Sequence, residues 1–335
     1  FVWKKTKEFA YPITEEVFRR IERNPFDVAP WMVDEIRRLR DQYQFFHWHL
    51  AFPHVFTVPT AGKGTENEQT GWNGGFDVAL GNPPRERIKL QEKEFFPSRD
   101  PEIANARTAA QRRTLIRRLP QTDPALHAAY TAALRESEAT AHFLRDSGRY
   151  PLTSRGDINT YAIFAGLARQ IVEPAGRVGL IVPTGIATDF TYRDFFGDVV
   201  DSGQLVSVYD FENRQGLFPG THRSYKFSLL TLAGGGVAEA EFAFFLQAPS
   251  DLADPERRFS LSREDLALLN PNTRTVPVFR RRRDAELTRH IYRRVPVLVN
   301  ETTKENPWGV RFFTMFHMTN DSGLFRTREQ MQANG

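Results

Sequence analysis

Two consecutive prolines, Pro83 and Pro84, constrain this chain more than any other local feature. Each ring fixes φ near about −65°, and the second also restricts the residue before it, so the backbone here holds one direction. They stand in the stretch GGFDVALGNPPRERIKL (74–90). Ahead of them, Phe76 to Leu80 is a short apolar run behind two glycines, the pattern of a strand buried in a sheet, and Gly81 ends it. A rigid, polar-tipped turn at the carboxyl end of a central strand is where open α/β sheets place their chemistry. A turn that merely stops a strand is the plain alternative, and spacing leaves both readings open.

The chain has 335 residues, enough for one large domain or two ordinary ones. No apolar run is long enough to cross a membrane, so no membrane partner is expected. The chain begins FVWKKTKEF with no signal-peptide pattern and stops at REQMQANG, and it reads as a piece of a longer protein. Cysteine is absent, which excludes disulfides and thiol chemistry and fits a reducing, cytoplasmic compartment. Lys and Arg exceed Asp and Glu by 45 to 41. The excess matters less than its clustering, in QRRTLIRRL (111–119) and FRRRRDAELTRHIYRR (279–294). Arginine-rich helical faces suit phosphate contacts; a solvated face with i,i+4 ion pairs fits each cluster equally well.

Residues 13–24 predict a helix with a Thr cap, and 31–44 a second one running into the aromatic stretch QFFHWHLAFPHVF. The polar, Gly-rich segment 60–75 is a loop, and its GKG is too short for a phosphate loop. Most of 86–148 is helical, with an Asp123 cap, Pro124 at the first helical position and a glycine stop. This insertion is expected to fold over the Asn-Pro-Pro turn. From 157 onward helix and strand alternate. NTYAIFAGLARQIVEPAG (159–176) is an amphipathic helix closed by Pro and Gly, and RVGLIVP (177–183) and LVSVYDF (205–211) are buried strands with a helix between them. YKFSLLTLAG (225–234) and AEFAFFLQA (240–248) predict an antiparallel pair at the sheet edge. The expected segments are 1–85 with the catalytic strand, 86–150 as the helical insertion, 151–250 as the second half of the sheet, and 251–335 as an Arg-rich region.

An aromatic amine is a poor nucleophile because its lone pair is delocalised into the ring. Two acceptors on its N–H groups draw that pair out of conjugation. The Asn82 carboxamide and the Pro83 carbonyl supply them if a stiff backbone aims both, which is preorganised electrostatic stabilisation needing no strong base. At these residues the chain resembles a known family. FDVALGNPPRERIKLQEKEFF looks like motif IV of the amino-group DNA methyltransferases that modify adenine N6. Six further segments extend the likeness, in order: FHWHLAFPHVF ahead of it, and SGRYPLTSRGDINTYAIF, GLIVPTGIATD, DFENRQGLFPGTHRSYKFSLLTL, NPNTRTVPVF and NPWGVRFFTMFHMTNDSGLFRTRE after it. Together they resemble the large Eco57I-like adenine methyltransferases of type IIG restriction-modification and phage-defence systems.

The resemblance implies the α/β, Rossmann-like sheet of the class I methyltransferases, S-adenosyl-L-methionine as cofactor, and double-stranded DNA as partner beside other subunits or domains. It implies that Asn82, Pro83 and Pro84 hold an adenine amine in line with the departing methyl group, the base having left the duplex. It implies that Asn159 to Phe164 line the cofactor adenine, with Phe164 as the stacking face and Asp77 at the start of the strand, and that Phe218 packs on the extruded base. Arg280, Arg281, Arg282, Arg283, Arg293 and Arg294 become candidates for the DNA backbone. Two positions depart from the family pattern. Arg85 stands where the family carries an aromatic after Asn-Pro-Pro, which weakens the base pocket or marks a catalytically silent DNA-binding module. The glycine-rich cofactor motif is missing from 1–75, so the first strands of the sheet are expected to precede Phe1. Cytosine N4 fits less well, since Asn82 stands where those enzymes usually carry Ser. Glutamine methylation of proteins fits less well beside the Arg-rich clusters.

Each residue also has a plainer reading. Phe164 and Phe218 fit as core aromatics in a chain with 28 phenylalanines. Asp77 faces the pocket or satisfies its loop. The acids of DFENR (210–214) face the base or hold local structure. His47 and His49 share one face if FHWHL is extended, but no third ligand accompanies them and no metal site is expected.

Overall fold

The computed structural model describes residues 14–60, 70–317 and 320–333. The GKG segment lies outside them. Its centre is a six-stranded mixed sheet in the order β3-β4-β6-β5-β7-β8. A two-residue ribbon, β1 (Phe56–Thr57) with β2 (Asn73–Gly74), precedes it. The sheet strands are β3 (Phe76–Gly81), β4 (Val172–Val182), β5 (Leu205–Glu212), β6 (Lys226–Ala233), β7 (Glu239–Leu246) and β8 (Phe259–Ser262). β3, β4, β5 and β7 run one way; β6 and β8 run the other.

The helices begin where local chemistry starts them. Thr14 caps α1 (Glu15–Arg23), and α2 (Pro30–Tyr43) and the short α3 (Trp48–Ala51) follow. The insertion holds α4 (Glu92–Phe95), α5 (Pro101–Ala104), α6 (Ala109–Thr122) and α7 (Pro124–Asp146). Asp123 caps α7 through the Leu126 N–H with Pro124 in the first turn, and Gly148 follows with φ +74°. α8 (Thr160–Ile171) enters the sheet region. After β4 come α9 (Gly185–Thr188) and α10 (Arg193–Asp201), and after β8 come α11 (Arg263–Leu269) and α12 (Arg282–Tyr292). A last turn, α13, covers Arg328–Ala333.

The period-2 alternation of β6 sorts its side chains between two cores. Leu230 and Leu232 join Val178, Leu180 and Val182 of β4 beneath α8 and α10, where Tyr161, Ala165, Phe195 and Phe196 are buried. Phe227 and Leu229 face the other way, into a smaller cluster with Phe211 and Leu246. The insertion has its own core of Phe96, Ile103 and Leu119, and Ala141 and Leu144 of α7 tie it to Ile158 and Ile163.

Several expectations change here. Among the described residues β3 is the outermost strand rather than a buried one, and Val78 and Leu80 are 55% and 81% exposed because nothing described packs on that face. The segments 225–234 and 240–248 run antiparallel but do not pair, since β5 lies between them. The chain passes beneath β5 through a glycine turn in which Gly236 has φ +79° and the Val237 N–H donates to the Gly203 carbonyl. Pro174 and Gly176 do not close the helix at 159–176. α8 stops at Ile171 and β4 starts at once, and the two residues fall where the β3–β4 register slips. FHWHL is not a strand: Trp48, His49 and Leu50 lie in α3, with His47 at its N-cap position. The sheet also continues past residue 250, as β8 pairs with β7 and Leu261, Leu266 and Ala285 join the main core.

Candidate active site

Asn82 follows β3 directly, at the same end of the sheet as the carboxyl ends of β4 and β5. Its side chain is exposed, Pro83 is buried and Pro84 is exposed. The turn is therefore not covered by the insertion, which packs further along the chain: the Leu90 N–H donates to Ser137 Oγ at 3.2 Å, and Ile88 joins Ala141 and Leu144.

The turn is fixed by the start of α8. Thr160 Oγ1 donates to the Pro84 carbonyl at 2.7 Å and accepts from the Glu86 N–H at 2.9 Å. The Thr160 N–H donates to the Glu86 carbonyl at 2.9 Å, and the Ile88 N–H donates to the Ile158 carbonyl at 2.9 Å. Asn159 serves the same joint: Oδ1 accepts from the Tyr161 N–H at 3.4 Å as the helix cap, and Nδ2 donates to the Arg85 carbonyl at 3.5 Å. Its carboxamide holds the loop. Thr160 escaped sequence reasoning because nothing in NTYAIF marks it as a partner of a turn 76 residues earlier.

Between β3 and α8 runs an apolar groove of about 510 Å³, lined by Val78, Leu80, Phe164, Leu167 and Leu180 and closed at one end by Asn82, Pro83 and Pro84. Phe164 is 45% exposed. The structure thus joins two positions that the sequence singled out separately, the Asn-Pro-Pro turn and Phe164. Asp77 is exposed and is not among the lining residues. The lining suits the flat, apolar face of a purine, as S-adenosyl-L-methionine carries, with Phe164 as the stacking surface. It offers no charge to that cofactor's amino-acid end. A larger cavity, about 850 Å³, lies under α7 between Arg87, Lys89 and Arg145 on the one hand and Glu138, Asp146 and Asp157 on the other. Its balanced charges and a lining that shares no residue with the groove set it apart.

Arg85 is half-buried. Its Nη2 donates to Asn82 Oδ1 at 3.3 Å, and its guanidinium carbon lies 6.0 Å from the ring centroid of Tyr225. Tyr225, just before β6, borders a second cavity of about 470 Å³ with Thr184, Asp210 and Lys226. Sequence reasoning passed over Tyr225, which has no periodicity to mark it. Phe218 does not meet Arg85: it packs edge-on against Phe227 at 4.9 Å, and its backbone N–H and carbonyl both bond the Asn213 carboxamide.

The acids of DFENR are structural. Asp210 is buried, accepts from the Thr184 hydroxyl, and accepts from the Phe245 N–H at 3.3 Å; burial pushes its carboxyl up against those hydrogen bonds. Phe245 has φ +62°, where the β5–β7 register slips. Glu212 pairs with Arg214 and Lys226. Among the described residues no group of three or more His, Cys, Asp or Glu side chains could hold a metal, and the His47 and His49 rings stand 6.0 Å apart.

The Arg-rich tract is not one free face. Arg293 and Arg289 clamp the buried Asp265 at 3.1 and 3.0 Å, Arg282 donates to the Arg258 carbonyl at 3.1 Å, and Arg280 stacks on Phe245 at 4.1 Å. Arg281, Arg283 and Arg294 are exposed. In the other cluster Arg112 is buried and donates to the Ile103 and Ala106 carbonyls, joining α6 to α5.

No protein-family model and no curated protein matches the chain. Among solved structures it is similar to the methyltransferase subunit of a type I restriction-modification system from Streptococcus thermophilus, at 15% identity and a TM-score of 0.32, over 42% of this chain and 35% of that one. It is similar to the type IIG restriction endonuclease BpuSI at 18% identity and a TM-score of 0.27, over 41% and 18%. A third is the DNA-bound, ATP-dependent type ISP restriction-modification enzyme LlaBIII, at 10% identity and a TM-score of 0.25, over 53% and 10%. The chain spans about a third of the first protein's length and less of the other two. Likenesses this partial carry no weight for function, which rests on the residues themselves.

Proposed function

We propose that this chain carries the catalytic half of an S-adenosyl-L-methionine-dependent methyltransferase acting on the N6 amine of an adenine extruded from DNA, within a larger restriction-modification or phage-defence protein. One observation carries the reading: the Asn-Pro-Pro turn and the exposed face of Phe164 line a single apolar groove. The Asn82 carboxamide oxygen and the Pro83 carbonyl accept the two N–H bonds of the target amine and localise its lone pair, and the two proline rings keep both acceptors aimed. Thr160 holds that aim from the helix side. Phe164 holds the purine of the cofactor, which supplies an electrophilic methyl group. Val78 and Leu80 give the groove an apolar wall on the strand side.

A second reading, a catalytically silent DNA-binding module, is favoured by one contact: Arg85 donates to Asn82 Oδ1, the acceptor the target amine needs. Expression of the complete open reading frame in a methylation-free host, followed by mapping of modified adenines, separates the two. N6-methyladenine at a fixed sequence, lost on Asn82→Ala, supports the enzyme. Unmodified DNA from a folded protein that binds it with steep salt dependence supports the silent module.

A further inference from the structure

We infer that the target base is held between the Arg85 guanidinium and the Tyr225 ring, with Tyr225 rather than Phe218 as the aromatic face; this deepens the methyl-transfer reading and rests on it. The guanidinium carbon lies 6.0 Å from the Tyr225 centroid. A planar base stacked on both sides needs about 7 Å, two contacts of about 3.5 Å each, so the guanidinium must draw back by at least about 1 Å to admit one base. The bond that anchors Arg85 to Asn82 Oδ1 is long, at 3.3 Å. When the guanidinium moves back by that small distance, the same oxygen becomes free for the amine of the base beside it. A guanidinium is flat and stacks on base faces as an aromatic ring does, which gives Arg85 a constructive role at the position where the family pattern has an aromatic.

Tyr225 is built for the opposite face. Its N–H donates to the His222 carbonyl at 3.0 Å and its carbonyl accepts from the Asn213 N–H at 2.9 Å, so the backbone is held while 45% of the residue stays exposed. Tyr225 also borders the cavity beside Thr184 and Asp210, which Arg85 and Asn82 do not line, so the stacking gap is defined by the Arg85–Tyr225 pair alone. Phe218 has neither property: its ring meets Phe227 inside an aromatic cluster.

The test uses the full-length protein and a duplex bearing 2-aminopurine at the adenine found by mapping. Stacking quenches this base. Tyr225→Ala is expected to brighten the bound probe and to lower kcat/KM for methyl transfer about 10- to 100-fold, and Tyr225→Phe to restore both. Arg85→Lys, which keeps the charge but loses the plane, is expected to follow Tyr225→Ala. Emission and turnover unchanged in Tyr225→Ala, with the change appearing in Phe218→Ala instead, overturn the assignment. A faster enzyme on Arg85→Ala overturns it too, since it makes the guanidinium a plug. These outcomes leave the methyl-transfer reading standing. A wild-type protein that transfers no methyl group removes both.

Discussion

At the scale of single residues, Phe164 is the side chain whose role is most cleanly separable from the fold. Nearly half of it faces the groove, so its removal costs little packing. Phe164→Ala is expected to weaken cofactor binding by about 1–3 kcal/mol while the melting temperature stays close to wild type; calorimetry on the full-length protein checks both. Asp265 is the converse case, a residue whose role is stability. Burial pushes its carboxyl up, but Arg289, the Ser262 N–H and Arg293 outweigh burial, and the net pKa is lowered. A carboxyl with a lowered folded pKa contributes stability that is present above its unfolded value of about 3.9 and lost as the pH falls through the folded value. Asp265→Asn is therefore expected to cost about 1.5–3 kcal/mol at neutral pH and to flatten the acid limb of a stability-against-pH curve from denaturant titrations. The sequence showed the arginines around it as a helical face. It did not show that Arg289 and Arg293 turn inward, because spacing reports which residues share a face and says nothing of what stands opposite.

At the scale of elements, the joint between the loop after β3 and α8 decides where Asn82 points. Thr160→Val removes both hydroxyl bonds. Water reaches this site, so the stability loss is expected to be small, about 0.5–1.5 kcal/mol. A misplacement of about 1 Å costs about 100-fold in rate, so turnover should fall far more than stability; a KM-against-kcat comparison beside a melting curve distinguishes aiming from folding. The elements themselves were largely legible in the sequence. Thr14, Asp123 with Pro124, and Asn159 mark helix starts through bonds to N–H groups two or three residues away, and such short-range chemistry is written locally. Strand order was not legible. That β6 slots between β4 and β5 depends on contacts across the sheet, and the apolar run 225–234 reads the same at an edge as in the middle. The exposed face of β3 was hidden for the same reason, since Val78 and Leu80 have the composition of a buried strand. Of the residues around the groove, the sequence singled out Asn82, Pro83, Pro84 and Phe164 and passed over Thr160 and Tyr225, because each of those meets a partner distant in sequence.

At the scale of the molecule, β3 leaves one edge and one apolar face of the sheet open among the described residues. Exposed apolar strand edges template further pairing, so this chain in isolation is expected to self-associate as its concentration rises, and Leu80→Lys to suppress this in light scattering. The mixed direction of the sheet has a consequence for how the site is assembled. A wholly parallel sheet sends only outgoing chain ends to its catalytic rim, and every residue there must lie just after a strand. Because β6 runs backwards, the same rim also receives an incoming end, and Tyr225 arrives next to Arg85 with β6 still ahead of it. Were β6 turned to match its neighbours, its eight residues would carry Tyr225 about 26 Å away to the far rim. The reversed strands β6 and β8 thus give this rim two kinds of loop, those that have just left the sheet and those that are about to enter it.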